Sequence, residues 1–384
     1  MSKKALIVTR VSGFVPQFEM NNVKLLQEKG YEIHYAANFD KVVYGKDNSR
    51  LRGTGIQRHH IPFGRSPFSR EVWWCYKALK KLMLEESFDL IHCHMPMTGI
   101  LARKAAEKVR KLTGRIVPVL YTAHGFHFYS GAPLGNWIYY LAERHYARYT
   151  DKLILINEED TERGKHFPLR GTVEYVPGIG MKPMPDPDPA YQMRREYGIP
   201  EENKVVVSVG ELTQRKNHEL MIRAMDRFRR DPVSYLICGT GPLEDMLRSM
   251  VREMHLENKV IFAGYCDHIP DVLRQADYFA FPSRQEGLPV AMMEAMQAGL
   301  PVLGLDIRGN HDLIKDGEGG FLFHENYAED YARGIRYFMK YPEDAERMGS
   351  WNRERVKQFS LDIVEQRMRQ IYAEAEESGE PRSS

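Results

Sequence analysis

Phe281-Pro-Ser-Arg-Gln-Glu286-Gly-Leu-Pro289-Val-Ala-Met-Met-Glu294 joins two runs of different periodicity. The apolar residues 277–281 before the loop read as a buried strand, and residues 290–297 after it as a helix. Pro289 suits the first turn of that helix, where its missing N–H would have no partner. The free amides and the positive end of the helix dipole then face Glu286 and Gly287, which makes the corner a place for an anion. Glu286 in the loop and Glu294 in the helix frame it. Carboxylates accept hydrogen bonds from vicinal hydroxyls, so the corner suits a ligand that reads hydroxyls, phosphate, hydroxyls. A nucleotide-sugar has that layout.

The 384 residues favour two domains with sizeable cores, and a composition of 43% hydrophobic and 28% charged residues is that of a globular chain. No apolar run approaches a membrane span, and residues 1–20 lack a signal-peptide core after Lys3-Lys4, so the expected location is the cytoplasm. Cys75, Cys93, Cys238 and Cys266 form no Cys-x-x-Cys pair and read as reduced thiols, not as a disulfide frame or zinc site. Formal charge is +2 overall but uneven. Residues 1–180 carry 27 Lys and Arg against 17 Asp and Glu, and the remainder 27 against 35. Opposite signs in the two halves suggest two different partners.

In the first half, residues 5–9 are a buried strand leading through Gly13 into an amphipathic helix that ends near residue 29. Gly13 is a place for ligand to approach the backbone or a simple tight turn, because no Gly-x-Gly-x-x-Gly pattern is present. Strands follow at 31–36 and 56–62. Residues 67–84 form a helix with Trp73 and Trp74 beside Arg70, Lys77, Lys80 and Lys81. With Arg103, Lys104, Lys108, Arg110 and Lys111 it suggests attachment to an anionic membrane surface, against the plainer reading of a solvated face. A strand at 89–94 points His92 and His94 the same way, and the next, 115–124, ends in Thr122-Ala-His-Gly-Phe-His127. Four histidines at neighbouring strand ends raise a metal site, but no carboxylate or cysteine lies at ligand spacing, so none is expected. Ligands of parallel sheets bind beyond the carboxyl ends of strands, which makes His124 a hydrogen-bonding residue for substrate. A helix over 134–150 and strands at 152–156 and 173–177 complete this half.

Residues 181–195, within a Pro- and Gly-rich stretch, form a linker between 1–180 and 196–360. Strands then alternate with helices: 204–209, a helix over 217–230 with Asn217 or a neighbour as its cap, 234–238, 243–254, 260–263, 269–275 and 277–281. A last strand lies at 319–323 and a helix at 361–376, after which residues 377–384 are polar and expected to lack order. The repeat in both halves indicates an α/β fold of two doubly wound parallel sheets facing each other across a cleft.

Glu-Gly-Leu-Pro with a second Glu after seven intervening residues resembles the signature of the family 4 retaining glycosyltransferases of GT-B fold. Tyr121-Thr-Ala-His-Gly-Phe-His-Phe-Tyr-x-Gly-Ala-Pro133 resembles the exopolysaccharide and capsule branch of that family, and Arg308-Gly-Asn-His-Asp-Leu-Ile314 a segment found there. The resemblance implies two Rossmann-like domains, with the terminal helix crossing back onto the first, and a donor held by the second. Lys216 matches the family's phosphate-binding lysine, and Arg215 makes up for Glu211, which stands where many relatives carry Arg. Gly239 and Gly241 would lie beside the nucleotide, Tyr265 near the base, Glu294 on the ribose, Gly287, Leu288 and Pro289 on the leaving phosphate, and Glu286 and His124 on the transferred sugar. The implied activity is transfer from a nucleoside diphosphate sugar, UDP-linked and by family weight an N-acetylhexosamine, with no metal or cofactor. The acceptor would be a saccharide, plausibly lipid-linked, at the inner face of the cell membrane; nucleic acid is not an expected partner. The alternatives are a nucleotide-sugar 2-epimerase of the same architecture and an inactive sugar-nucleotide-binding protein.

Overall fold

The computed structural model describes residues 2–64 and 70–379. They divide into two compact units, one within residues 1–180 and 361–384, the other residues 181–360.

The first unit is a seven-stranded sheet: β1 Lys3–Val11, β2 Tyr31–Asn38, β3 Gln57–His60, β4 Leu90–His94, β5 Val119–Ala123, β6 Lys152–Leu155 and β7 Thr172–Tyr175. All pairs are parallel, in the order β3-β2-β1-β4-β5-β6-β7. Its central strands are buried on both faces, as their unbroken apolar runs require. The helices are α1 Met20–Glu28, α2 Glu71–Glu86, α3 Pro96–Thr113, α4 Trp137–Ala147 and α5 Glu158–Gly164. Part of the helix expected from residue 67 lies outside the described residues. Arg103, counted from sequence among the surface cations, is instead buried. Its guanidinium lies 2.7 Å from Glu143 and 4.0 Å from the centre of the Tyr121 ring, an ion pair formed where no water screens it.

The second unit carries β8 Lys204–Val209, β9 Val233–Cys238, β10 Val260–Gly264, β11 Tyr278–Phe281, β12 Val302–Leu305 and β13 Gly320–Phe323, parallel and ordered β10-β9-β8-β11-β12-β13. Its helices are α6 Met193–Tyr197, α7 His218–Met225, α8 Glu244–Glu253, α9 Ile269–Gln275, α10 Val290–Ala298, α11 Asn310–Leu313, α12 Ala328–Lys340 and α13 Pro342–Arg355. The stretch read as a linker is tied into this unit: the Asp188 amide donates to Asp271 at 3.2 Å and the Met193 amide to Gln275 at 2.9 Å. The helix expected over 217–230 is shorter, with a 3-10 turn at Asp226–Phe228. Asn217 sits at its N-cap position in the left-handed region, and its side chain makes no capping bond.

A final helix, α14 Leu361–Gly379, belongs to the first unit and runs past the expected end at 376; residues 380–384 lie outside the described residues. Val364, Met368, Ile371, Tyr372 and Ala375 repeat every three or four residues and pack with Ile7, Ile33, Leu120 and Ile154 of the sheet. Ion pairs of Lys152 with Glu374 and of Lys29 with Glu376 flank that stripe. The helix therefore completes the core of a unit whose other residues precede it by almost two hundred positions. Ile371→Ala should cost roughly 2–5 kcal/mol of the first unit's stability, measured by urea unfolding. A loss below about 1 kcal/mol would show that α14 is dispensable.

Candidate functional site

Strand order reverses beside β1 in the first sheet and beside β8 in the second, and at such switch points the loops leaving neighbouring strands diverge and open a crevice. In the second unit the loop after β8 carries Arg215 and Lys216, and the loop after the adjacent β11 carries Glu286. Oε1 of Glu286 is the shared acceptor: Arg215 Nη1 lies at 2.7 Å, Lys216 Nζ at 2.8 Å and Ser283 Oγ at 2.6 Å. A backbone bond from Arg284 N–H to Arg215 O at 2.8 Å and a side-chain bond from Arg215 Nη1 to Gln285 O at 2.9 Å stitch the loops together. Desolvation lowers the Lys216 pKa, and the Glu286 carboxylate opposes it.

The glycines here are set by close packing. A Cβ on Gly210 would come 3.2 Å from Lys216 Cε, so the missing side chain lets the lysine stem pass. On Gly239 it would strike the Gly210 carbonyl oxygen at 1.9 Å, and on Gly241 the Leu212 amide at 2.5 Å. Gly239 and Gly241 thus press against the loop that bears the cations. Beyond β11 the Gly287 carbonyl leaves no room for a Cβ on Gly309, and Arg308 Nε donates to Glu286 O at 3.2 Å. Leu288 is buried, and Pro289 takes the N-cap position of α10, one place earlier than expected. Glu294, a little over a turn into α10, accepts no hydrogen bond among the described residues, and burial pushes its carboxyl up to about 7. Tyr265 stands out into solvent after β10.

The first unit brings together a different set. His94 ends β4, and His124 follows β5. Nδ1 of His94 lies 3.3 Å from Nε2 of His124, while His127 stands apart against Tyr139. The carboxylate that sequence spacing did not supply comes from the turn after β1. Val15–Glu19 winds as a π-helical turn and directs Glu19 inward, with Oε1 3.6 Å from His94 and 3.8 Å from His124. Glu19 was missed because its contacts are remote in sequence; its one signal was an acid at the start of an apolar helix. Gly13 lies just upstream, where a Cβ would strike the Val42 carbonyl at 2.4 Å, so the close approach it permits is to its own chain.

Burial sets the charge state of this cluster. It pushes His124 down to about 4, His92 to about 3 and Glu19 up to about 7. The imidazoles are therefore neutral near pH 7, each offering one donor and one acceptor. Among the described residues, Glu19, His92 and His94 form the group able to hold a metal ion. Both His92 nitrogens are already engaged, by the Tyr372 hydroxyl at 2.9 Å and Thr122 at 2.8 Å, so it fits that role poorly. A pocket lined by Phe18, Asn22, Thr122, His124 and Glu365 opens beside Glu19. A second pocket, lined by Met83, Phe88, Val109, Arg110 and Arg170, lies near the amino ends of β4 and β5, away from the crevice.

Residues 20–178 match the family model described as Glycosyltransferase Family 4, and residues 191–355 the one described as Glycosyl transferases group 1. The chain is 32% identical to EpsD of Bacillus subtilis (strain 168), which carries a glycosyltransferase name, over 97% of each chain. The chain belongs to the family 4 glycosyltransferases. It is also 30% identical, over 67% of its length and 68% of the relative's, to the UDP-Gal:alpha-D-GlcNAc-diphosphoundecaprenol alpha-1,3-galactosyltransferase of Escherichia coli. Among solved structures, Anabaena Alr3699/HepE in complex with UDP and glucose superposes with a TM-score of 0.78 at 17% identity, over 97% of this chain and all of that one. That likeness shows the GT-B fold.

The Glu19 carboxyl predicts a pH dependence. Its pKa in the folded protein lies above the unfolded value, so this group binds more protons in the folded state between about pH 4.5 and 7 and its contribution to stability is lost as pH rises through that window. Lowered pKa values at His92, His94 and His124 contribute with the opposite sign. Relative to wild type, Glu19→Gln, which keeps an acceptor for Asn22, should therefore make the change in stability from pH 4.5 to 7.5 more favourable by about 3 kcal/mol in chemical unfolding. An unchanged slope would place the titration elsewhere.

Proposed function

We propose that this glycosyltransferase moves a sugar, with retention of configuration, from a UDP-linked donor, by family weight an N-acetylhexosamine, to a hydroxyl of a lipid diphosphate-linked saccharide. The observation that carries the donor half is the shared contact of Arg215 and Lys216 with one oxygen of Glu286, eight residues before Glu294, which has no hydrogen-bond partner among the described residues. Two cations held by a single carboxylate can share a diphosphate, and amides at the start of α10 can join them. Glu294 would accept from the ribose hydroxyls and Glu286 from the sugar, with His124 a second hydrogen-bonding group on the sugar.

The chemical task is departure of the diphosphate, which fixed charges in a low-dielectric site stabilise without reorganisation. In a front-face route the acceptor oxygen bonds to the anomeric carbon as the carbon–phosphate oxygen bond breaks on the same face. The acceptor proton passes to the leaving phosphate oxygen. Arg215 and Lys216 would neutralise the charge that develops there, with no metal required. Glu286 is a poor candidate for a covalent nucleophile, because its Oε1 is occupied by three donors.

The acceptor half rests on the E. coli relative, whose name specifies a diphosphoundecaprenol-linked sugar, and on one side of the first unit. No described helix is long and apolar enough to cross a membrane. However, α3 packs against both α2 and α4, and the three present exposed Trp73, Trp74, Ile138 and Leu141 beside Lys80, Lys81, Lys104 and Lys108. Leu134, Ile138 and Leu141 lie along one face at helical spacing and are 89%, 63% and 64% exposed. An apolar strip flanked by cations suits the headgroup region of an anionic bilayer.

Lys216→Ala should lower turnover by about 10²-fold or more while the circular dichroism spectrum and Tm stay near wild type; near-normal turnover would remove Lys216 from the chemistry. Incubated with donor alone, the protein should leave the sugar unchanged, whereas a 2-epimer detected by mass spectrometry and chromatography would favour the epimerase. In sedimentation with vesicles rich in anionic phospholipid, binding should fall as salt rises, and Ile138→Glu with Leu141→Glu should weaken it at least roughly fivefold. Binding indifferent to both changes would sink the membrane surface.

A further inference from the structure

Two of the four cysteines meet in the second unit. Cys238 ends β9 and pairs in the ladder with Gly264 of β10, and the Gly239 amide donates to Gly264 O at 2.8 Å. Cys266 lies two residues past Gly264, on the turn that carries Tyr265. Cys238 and Cys266 act on one another through their thiols, and the Tyr197 hydroxyl of α6 donates to Cys266 Sγ at 3.9 Å. Sequence separation concealed the pair; adjacent parallel strands bring it together.

We propose that Cys238 and Cys266 form a thiol–disulfide modification site, oxidised by hydroperoxides, whose closure weakens nucleotide binding at the loops that follow β9 and β10. The second part rests on the placement of the donor nucleotide proposed above. Cys238 leads directly into Gly239-Thr-Gly241, and Cys266 directly follows Tyr265, so one bond would fasten the stems of both loops. The two free sulfurs must move together to reach the roughly 2.05 Å of a disulfide. Gly239 has no slack to follow, being packed against the Gly210 carbonyl of the loop that bears Lys216.

The chemistry is balanced. The Cys266 thiolate attacks one oxygen of hydrogen peroxide, the O–O bond breaks and hydroxide leaves, giving a sulfenic acid; that hydroxide takes up the proton lost when the thiolate formed and becomes water. The Cys238 sulfur attacks the sulfenic sulfur, the S–S bond forms as the S–O bond breaks, and the departing hydroxide takes the Cys238 proton to leave as a second water. Two thiols and one peroxide thus give one disulfide and two waters. The neighbouring Cys238 thiol brings the Cys266 thiol below its ordinary range, with the His268 amide and Tyr197 assisting against desolvation. Burial pushes the other two thiols the opposite way, Cys93 to about 12 and Cys75 upward, so peroxide should select the pair.

The test is treatment of the full chain with a small excess of hydrogen peroxide, followed by intact mass, peptide mapping and UDP titration calorimetry. The expected product is lighter by about 2 Da, with Cys238 linked to Cys266 and UDP affinity lowered at least roughly fivefold, restored by dithiothreitol. Cys266→Ser should bind UDP like the reduced wild type and ignore peroxide, and Cys238→Ala should stop at a sulfenic acid. Absence of the mass loss, or a link through Cys75 or Cys93, would overturn the modification site. A disulfide that leaves UDP affinity unchanged would overturn its effect on the nucleotide. If the reduced chain binds no UDP, the donor placement and the proposed effect on it fail together, while the mass loss still judges the thiol pair.

Discussion

One carboxyl oxygen, Oε1 of Glu286, receives Arg215, Lys216 and Ser283, and the second unit is arranged so that these three can reach it. Two cations brought this close would repel one another in a half-buried site, and the shared carboxylate offsets that repulsion. The contact depends on backbone segments lying nearly in touch. Gly210, Gly239, Gly241 and Gly309 each stand where a side chain would collide with the Lys216 stem or a neighbouring backbone. The buried strands beneath supply the rigidity, since Val206, Val207, Phe279 and Ala280 have no exposed surface. A charged cluster on mobile loops could not hold such distances; one rooted at the carboxyl ends of adjacent central strands can.

The two units use the same topological device with opposite electrostatics. In each, loops diverge where the strand order reverses, and polar groups collect in the crevice. In the second unit Arg215 and Lys216 are paired with Glu286. In the first, burial among Phe14, Phe18 and neighbouring rings removes charge: the imidazoles of His92, His94 and His124 are driven to the neutral form, and Glu19 toward protonation. A neutral histidine cluster is suited to hydrogen-bonding hydroxyls, and a cationic loop pair to phosphates. The fold thus makes two chemically distinct crevices from one architecture.

From Phe281 to Glu294 strand, loop and helix are local: apolar runs, a proline at a helix start and acids at fixed offsets identify themselves within fourteen residues. The alternation of strands and helices, the parallel sheets and the placement of Lys216 and His124 at strand ends were legible for the same reason. Arg103 shows the limit. It belongs by sequence to a run of surface cations, yet it turns inward onto Tyr121 and Glu143, a partner forty residues away. Leu134, Ile138 and Leu141 show the converse, apolar residues in and just before α4 that the fold leaves in solvent.

The sequence by itself therefore determined the elements, the two-unit α/β plan and the family, since hydrophobic period and turn chemistry act over a few residues. Only the tertiary structure decided which strand ends are neighbours. That order placed Glu286 on Lys216, seated Glu19 beside His94 and His124 and brought Cys266 to Cys238. The physical reason is that a side chain's pairing and charge depend on the groups packed around it, and in a parallel sheet those groups are set by strand order, which no local pattern encodes.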